Sequence, residues 1–480
     1  MFWRGVVGYL PMNIVQGLVG LFSIVVFTRA LSPADYGVYA LSFSAMSLAQ
    51  TLIFTWMEAA MARFYAPEAE AGRLPDHFAT LYRCWWIAAG AFAVLATLVV
   101  VLWPGPIRLA IAVGMGGVLA RSLIKLQQER RRAAGDVKGA ALLDMAQTLG
   151  GFGLGVALIA AGLKGAAPVA GLGAIAALAL VFLLPGELRR SKGGGFQPVL
   201  ARTYAAYGLP VALSLILALA LATTDRFLLA GYLGDAAVGV YHAGYSLSNR
   251  TLDVMFIWLG AAGGPALIVA LERGGADALV KAAREQAGFM LALALPASLG
   301  LALTARPLAD VMVGPALRIG AAQVTPWIAA SGLFSGLTTY YTHQAFTLGR
   351  RTGLLLAAMS LPAAANVILN VILIPRFGLP GAMWATTASY GLGLAASIAL
   401  GQLARPLPLP LGQLARAGAA TALMGLAVTA LPSPGGIAEL ALKAGIGALV
   451  YALAAYVFDV AHLRQRASGA VGLIRARAAA

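Results

Sequence analysis

From residue 8 to residue 461 the chain repeats one pattern: a long uncharged, mostly aliphatic stretch, then a short connection carrying arginine or lysine. About 20 apolar residues, rising about 1.5 Å each as a helix, cross the roughly 30 Å hydrocarbon core of a bilayer. In that core the backbone must satisfy its own hydrogen bonds, so a crossing segment is a helix or a strand of a closed barrel. Barrel strands would show shorter segments of alternating polarity, and these are absent. Composition agrees: 60% of the residues are hydrophobic and 11% charged, with a mean hydropathy of +0.83, whereas a soluble domain is about 25% charged. The pattern specifies an all-α polytopic membrane protein.

The apolar segments predict about fourteen transmembrane helices, at 8–29, 38–62, 82–103, 107–125, 139–161, 167–185, 205–231, 238–271, 286–305, 324–348, 353–374, 381–403, 416–431 and 438–461. The first follows a single basic residue, Arg4, and lacks a small-residue cleavage site, so it reads as an uncleaved helix. The segment 238–271 exceeds one straight span and is expected to project into water. An even count places both termini on one side. Assigning that side to the cytoplasm puts 24 lysines and arginines in inner segments and 7 in outer ones, which is the asymmetry that orients membrane proteins. Orientation therefore accounts for the net charge of +16, and no nucleic-acid partner is expected. The lone Cys84 permits neither an internal disulfide nor a cysteine metal cluster.

The two halves resemble each other. FTRALSPADYGVYALSFS (27–44) matches LLAGYLGDAAVGVYHAGYS (228–246), with Gly37, Val38 and Tyr39 falling on Gly239, Val240 and Tyr241 at an offset of 202. Gly173 and Ala174 fall on Gly381 and Ala382 at an offset of 208. Both copies join an outward-ending helix to an inward-running one, so the repeat is parallel, a recurring architecture of transporters. The expected organisation is an N-lobe of six helices (1–190) and a cytoplasmic linker at 191–204 containing GGGFQ. A pseudo-symmetric six-helix C-lobe (205–405), two extra C-terminal helices (406–462) and a basic cytoplasmic tail (463–480) follow.

The run NVILNVILIPRFGLPGAMWAT (366–386) sets Asn366 and Asn370 on one helical face of an apolar span, followed by a Pro/Gly turn. Two readings stay open for these asparagines: interhelical hydrogen bonding, or lining a polar cavity. The same run resembles a signature of the polysaccharide and lipid-linked oligosaccharide flippases, within the multidrug/oligosaccharidyl-lipid/polysaccharide exporter superfamily. The hairpin LSPADYGVYALSFSAM, with Arg63 and Phe64 closing helix 2, and the stretch 207–255 with its TTDRFLL run resemble that family too. The resemblance covers roughly residues 5–405 and does not extend to the last two helices.

The resemblance implies two six-helix lobes that move a polyprenyl-diphosphate-linked oligosaccharide across the inner membrane by alternating access. The product would serve exopolysaccharide, capsule or lipopolysaccharide O-antigen synthesis, with glycan polymerase or export machinery as partners. A cation-coupled multidrug exporter of the same fold and a membrane glycan-transfer enzyme are the alternative readings.

A diphosphate crossing hydrocarbon needs fixed cations in a wet cavity, and charge inside a span is costly enough to mark function by default. Arg226 stands beside Asp225 in helix 7. Arg250 stands near mid-span in helix 8, with Asp253 within reach of a local ion pair. These four, with Gln50 and Asn13, are the substrate-binding candidates, and Gln16 adds a further polar group. The bland reading has Arg226 snorkelling outward and Arg250 merely paired with Asp253. Arg121, one turn from Lys125, reads as snorkelling inward. Glu58, pairing with Arg63, and Asp144 and His343 are gate or coupling candidates, each with a structural salt bridge, cap or packing role as the alternative. There is no catalytic constellation and no glycine-rich phosphate loop with its lysine, so an enzyme, a cofactor and a metal site are not expected.

Overall fold

Helix starts and stops are written locally. In the computed structural model, which describes residues 2–102 and 107–464, Ser32 caps the second helix: its Oγ accepts the Asp35 N–H at 3.1 Å and donates to Asp35 Oδ2 at 2.6 Å, with Pro33 at the first helical position. That is the usual N-terminal chemistry of a helix. Asp136 does the same for a later helix, accepting the Gly139 N–H at 2.9 Å and pairing with Arg131 at 2.8 Å. The Gly139 bond first, then the Arg131 guanidinium, hold its carboxyl below the usual carboxylate range.

The elements run α1 (Phe2–Ala30), α2 (Pro33–Ile53), α3 (Thr55–Glu70), α4 (Leu74–Leu102), α5 (Ile107–Ala133), α6 (Val137–Ala160), α7 (Ala167–Arg190), α8 (Pro198–Leu233) and α9 (Asp235–Leu303). They continue with α10 (Ala305–Met312), α11 (Arg318–Leu337), α12 (Gln344–Leu348), α13 (Thr352–Phe377), α14 (Leu379–Ala404), α15 (Leu411–Thr429) and α16 (Gly436–Val457). No strand occurs among the described residues. The chain is an all-α, multi-pass membrane protein. Nine of its described helices are long and apolar enough to cross a bilayer, ten if α2 and α3 form one broken span.

Three departures from the sequence expectation have local causes. The span expected at 38–62 is broken at Phe54, where α2 and α3 meet at 48°. The spans expected at 238–271 and 286–305 belong to one run, α9, which turns at Gly275 (φ 67°, ψ −156°), a backbone state that glycine adopts without penalty. A π-helical turn, Thr338–Thr342, separates α11 from α12.

Contacts divide the chain into two units, Met1–His242 and Ala243–Ala480. In the first, α7 packs on α5 and α6 through small residues. A Cβ on Gly171 would stand 2.5 Å from the Gly151 carbonyl oxygen. The two copies of the Gly-Val-Tyr motif meet each other here. A Cβ on Gly37 would lie 1.8 Å from the Asp235 carbonyl oxygen and 3.0 Å from the Gly239 nitrogen. A Cβ on Gly239 would lie 2.0 Å from the Pro33 carbonyl oxygen and 3.1 Å from the Gly37 nitrogen. The contact is reciprocal, as across a two-fold axis, and only glycine lets two backbones approach so closely.

In the second unit α13 and α14 form a tight hairpin at Gly378 (φ 63°). Along α14 every fourth residue is small and buried: Gly381, Ala385, Ser389, Gly393, Ser397 and Gly401. Such stripes replace the hydrophobic drive that helices lack in lipid with close van der Waals packing. Gly381 lies against the Leu373 carbonyl oxygen, where a Cβ would come to 2.3 Å.

Candidate functional site

On α5, Arg121, Lys125, Gln128 and Arg132 recur at helical spacing and share one face. Opposite them stands Asp144 of α6, buried at 6% exposure. It accepts hydrogen bonds from Gln16 Nε2 of α1 at 2.9 Å and from Gln128 Nε2 at 3.4 Å. Lys125 Nζ and Arg132 Nη2 approach it more loosely, at 3.9 and 3.8 Å. Arg132 also pairs with Glu129 at 2.5 Å. Arg121, half-buried, has no ion partner within 4 Å among the described residues, although Asp144, Glu58 and Tyr39 lie within its electrostatic reach. Its Nε and both amide ends of the buried Gln127 lack hydrogen-bond partners among the described residues. The first unit thus holds a polar network, shared by α1, α5 and α6, whose cations are only partly neutralised.

Glu58 of α3 joins the edge of this network. Gln50 Nε2 donates to its Oε1 at 3.4 Å, and Lys125, Arg121 and Glu129 lie near it. It does not pair with Arg63, which is exposed. Five residues along a helix place two side chains on different faces, so the expected pair cannot close. Arg121 likewise faces the interior network instead of snorkelling to water.

Asp225 and Arg226 of α8 are both buried, at 0% and 5% exposure. Asp225 Oδ2 accepts the Tyr241 hydroxyl at 2.6 Å, and its Oδ1 accepts the Arg226 N–H at 2.8 Å. Arg226 Nη1 donates to the Ala222 carbonyl at 2.8 Å. These bonds tie α8 to the start of α9 beside the Gly37–Gly239 crossing. The side chain of Asn13, on α1, lies outside the described residues, as does the tail from residue 465.

In the second unit Arg250 and Asp253 are both exposed, and no ion pair joins them within 4 Å. Asp253 instead accepts a hydrogen bond from Asn249 Nδ2, one helical turn back. The expected Arg250–Asp253 pair is therefore replaced by an Asn249–Asp253 pair, and Arg250 stays within electrostatic reach of Asp253 without closing on it. His343 follows the π turn. Its ring lies 6.0 Å from Phe346 and its Nε2 is buried without a hydrogen-bond partner among the described residues. Asn366 and Asn370 are fully buried, and Asn370 Nδ2 donates to the Asn366 carbonyl (2.8 Å) and Oδ1 (3.1 Å). Those bonds stay within α13.

Arg130 falls beyond the span expected at 107–125, in the basic connection that follows it. It is a buried residue of α5, paired with buried Glu187 at 2.9 Å, and Glu187 also accepts the Tyr82 hydroxyl at 3.0 Å. The signal was present: ERRR continues the α5 helix in strong helix formers, where a loop would carry Gly or Pro. Among the described residues no group of three His, Cys, Asp or Glu side chains could hold a metal ion.

The architecture is that of known transporters. It is similar to the lipid II flippase MurJ in an inward closed conformation, with a TM-score of 0.72 at 12% identity, covering 94% of this chain and 98% of that one. It is similar to an inward-facing multidrug resistance MATE family transporter of the MOP superfamily, with a TM-score of 0.63 at 15% identity, covering 83% and 97% of the two chains. A MATE protein in a bent conformation aligns with a TM-score of 0.54 at 14% identity over 87% of this chain and 96% of that one. At such identities the likeness concerns the fold. No curated protein sequence matches the chain. Residues 26–316 match the model of a family described as polysaccharide biosynthesis protein, and the chain belongs to that family.

Proposed function

We propose that the protein is a flippase for a polyprenyl-diphosphate-linked oligosaccharide, moving it from the cytoplasmic to the outer leaflet of the inner membrane by alternating access of two six-helix lobes. The observation that carries this reading is Arg250, an exposed guanidinium with no ion partner within 4 Å among the described residues, in a helix long and apolar enough to cross a membrane. Hydrocarbon does not tolerate such a group, whereas a wet cavity does. Guanidinium binds the paired acceptor oxygens of a diphosphate in a fork geometry. The α5 network supplies two further cations, Lys125, whose acidic partner Asp144 stands at the limit of pairing distance, and Arg121, with no ion partner within 4 Å among the described residues, so a diphosphate can compete for them. The polysaccharide biosynthesis family supports the glycan as cargo, and the transporter fold supports movement without a reaction.

Two measurements test this. Purified protein in liposomes should speed the transbilayer movement of a fluorescent polyprenyl-diphosphate oligosaccharide, and depletion in cells should trap that lipid on the cytoplasmic leaflet. Unchanged flipping rates, or transport of organic cations alone, would replace the reading with that of a drug exporter.

The orientation carries its own expected result. Both termini are assigned to the cytoplasm, so a cysteine at exposed Lys192 should resist a membrane-impermeant thiol reagent in intact cells, while one at exposed Ser433 should react. The opposite pattern inverts the topology. Lys192 serves better than its neighbour Gly194, where a Cβ would stand 2.1 Å from the Pro75 carbonyl oxygen.

A further inference from the structure

The two C-terminal helices were left without a role by the sequence, and the first of them, with the turn that follows the second, lines a cavity against α9. The second leg of α9, the start of α15 and the short turn Val460–His462 after α16 enclose an open cavity of about 270 Å³. It adjoins a wider recess of about 500 Å³ that shares Arg284, Glu285 and His462. Four basic side chains line the pair: Lys281, Arg284, Arg416 and His462. Asp277 and Glu285 line them too. Among the described residues neither Lys281 nor Arg284 has an ion partner within 4 Å, and Arg416 reaches Asp459 only at 3.9 Å.

The backbone beside the cavity is strained. Asp459, Ala461 and His462, none a glycine, have φ of 54°, 50° and 59°. Left-handed backbone of this kind persists only where surrounding bonds over-determine it, and it clusters at binding sites. Here one such bond comes from the cavity wall and a second from the turn itself. Gln413 Oε1 accepts the Ala461 N–H at 2.9 Å, and Asp459 Oδ1 accepts the Arg464 N–H at 3.1 Å. The floor is apolar, since Ala461 belongs to a buried cluster with Leu291, Ala417 and Val460. Leu411, Leu414 and Val457 stand exposed nearby, at 67%, 42% and 59%. Arg416 and His462 share Asp459, which leaves Lys281 and Arg284 as the cations without an ion partner among the described residues. Such cations beside an apolar floor, with exposed aliphatic side chains alongside, match a molecule that is anionic at one end and aliphatic at the other. The following segment, 465–480, carries Arg466, Arg475 and Arg477 and no acid, so its own charge does not suit the site.

We infer that this cavity binds the phosphate of an anionic lipid headgroup from the surrounding leaflet, held by Lys281, Arg284 and Arg416 while the acyl chains lie along α15 and α16. Basic pockets at the ends of membrane helices recognise headgroups in this way. Arg250 does not line the cavity, and the inference does not depend on what is transported.

The test uses the full chain in neutral detergent, titrated with dihexanoyl phosphatidylglycerol, dihexanoyl phosphatidylcholine or inorganic phosphate, and reads the melting temperature. Phosphatidylglycerol should raise it saturably, and the other two should not. The Lys281→Gln/Arg284→Gln double variant removes exposed, unpaired groups, so its melting temperature without lipid should match the parent. Its apparent affinity for phosphatidylglycerol should fall about 30-fold, about fivefold for each lost cation. Arg189→Gln/Lys192→Gln, which removes the same charge from another exposed segment, should bind like the parent. Equal responses from the parent and the Lys281/Arg284 variant, or an equal shift with phosphatidylcholine, overturn the site. Inorganic phosphate acting as strongly as phosphatidylglycerol overturns the lipid.

Discussion

Gly37→Ala is expected to uncouple transport and lower the melting temperature, although it adds only one methyl group. The added Cβ would stand 1.8 Å from the Asp235 carbonyl oxygen, which is backbone and cannot swing aside. The start of α2 must therefore part from the start of α9. The cost should reach the upper end of the roughly 1–3 kcal/mol typical of overpacking. Gly239→Ala should behave alike, because its Cβ meets the Pro33 carbonyl oxygen at 2.0 Å. The informative measurement is the double variant. Once one substitution has opened the crossing, the second meets empty space, so the two losses should fall well short of additive. Melting temperatures of the two singles and the double in detergent decide this, with Gly17→Ala, which meets nothing within 4 Å, as the control. Additive losses would show that the two glycines do not share one contact.

The second large effect separates two arginines that the sequence presents as equals. Arg250→Leu should leave the melting temperature within the small range of surface substitutions, about 0.5 kcal/mol, because the side chain is exposed and holds no ion partner within 4 Å among the described residues. Flipping should nevertheless fall about 10- to 150-fold, the value of a charged hydrogen bond of about 1.5–3 kcal/mol. Arg250→Lys should recover only part of it, since a point charge cannot reproduce the fork. Arg226→Leu should show the reverse. Its guanidinium is buried against the Ala222 carbonyl, beside the Asp225–Tyr241 bond, so the yield of folded protein should fall before any transport defect is resolved. Full flipping by folded Arg250→Leu protein would remove this residue from the substrate path.

Which parts of this were legible beforehand follows from the range of the interactions involved. Helix positions rest on local hydropathy, and the apolar segments at 139–161, 353–374 and 381–403 correspond to α6, α13 and α14 within a few residues. The break at Phe54 was not legible. No proline or glycine marks it, and the apolar pattern runs through it unchanged. For the site, the spacing of Arg121, Lys125 and Arg132 on α5 was readable, but the partner that draws them inward, Asp144, comes from another helix. The Arg250–Asp253 expectation failed for a related reason. Asp253 had a closer competitor on its own helix in Asn249, and sequence spacing alone does not rank two neighbours at one turn.

The crossing of Gly37 and Gly239 also gives a reason for the same Gly-Val-Tyr motif to stand in both halves of the chain. A position packed against an unrelated helix drifts with its own surroundings, and its counterpart in the other half drifts with different ones. Two positions packed against each other share a single constraint, so a change at one is felt at the other. Likeness between the halves should fade away from this contact and persist at it. Among relatives of this chain, residues aligned with 37 and 239 should change together or not at all, while Gly173 and Gly381, which lie against different neighbours, should vary independently.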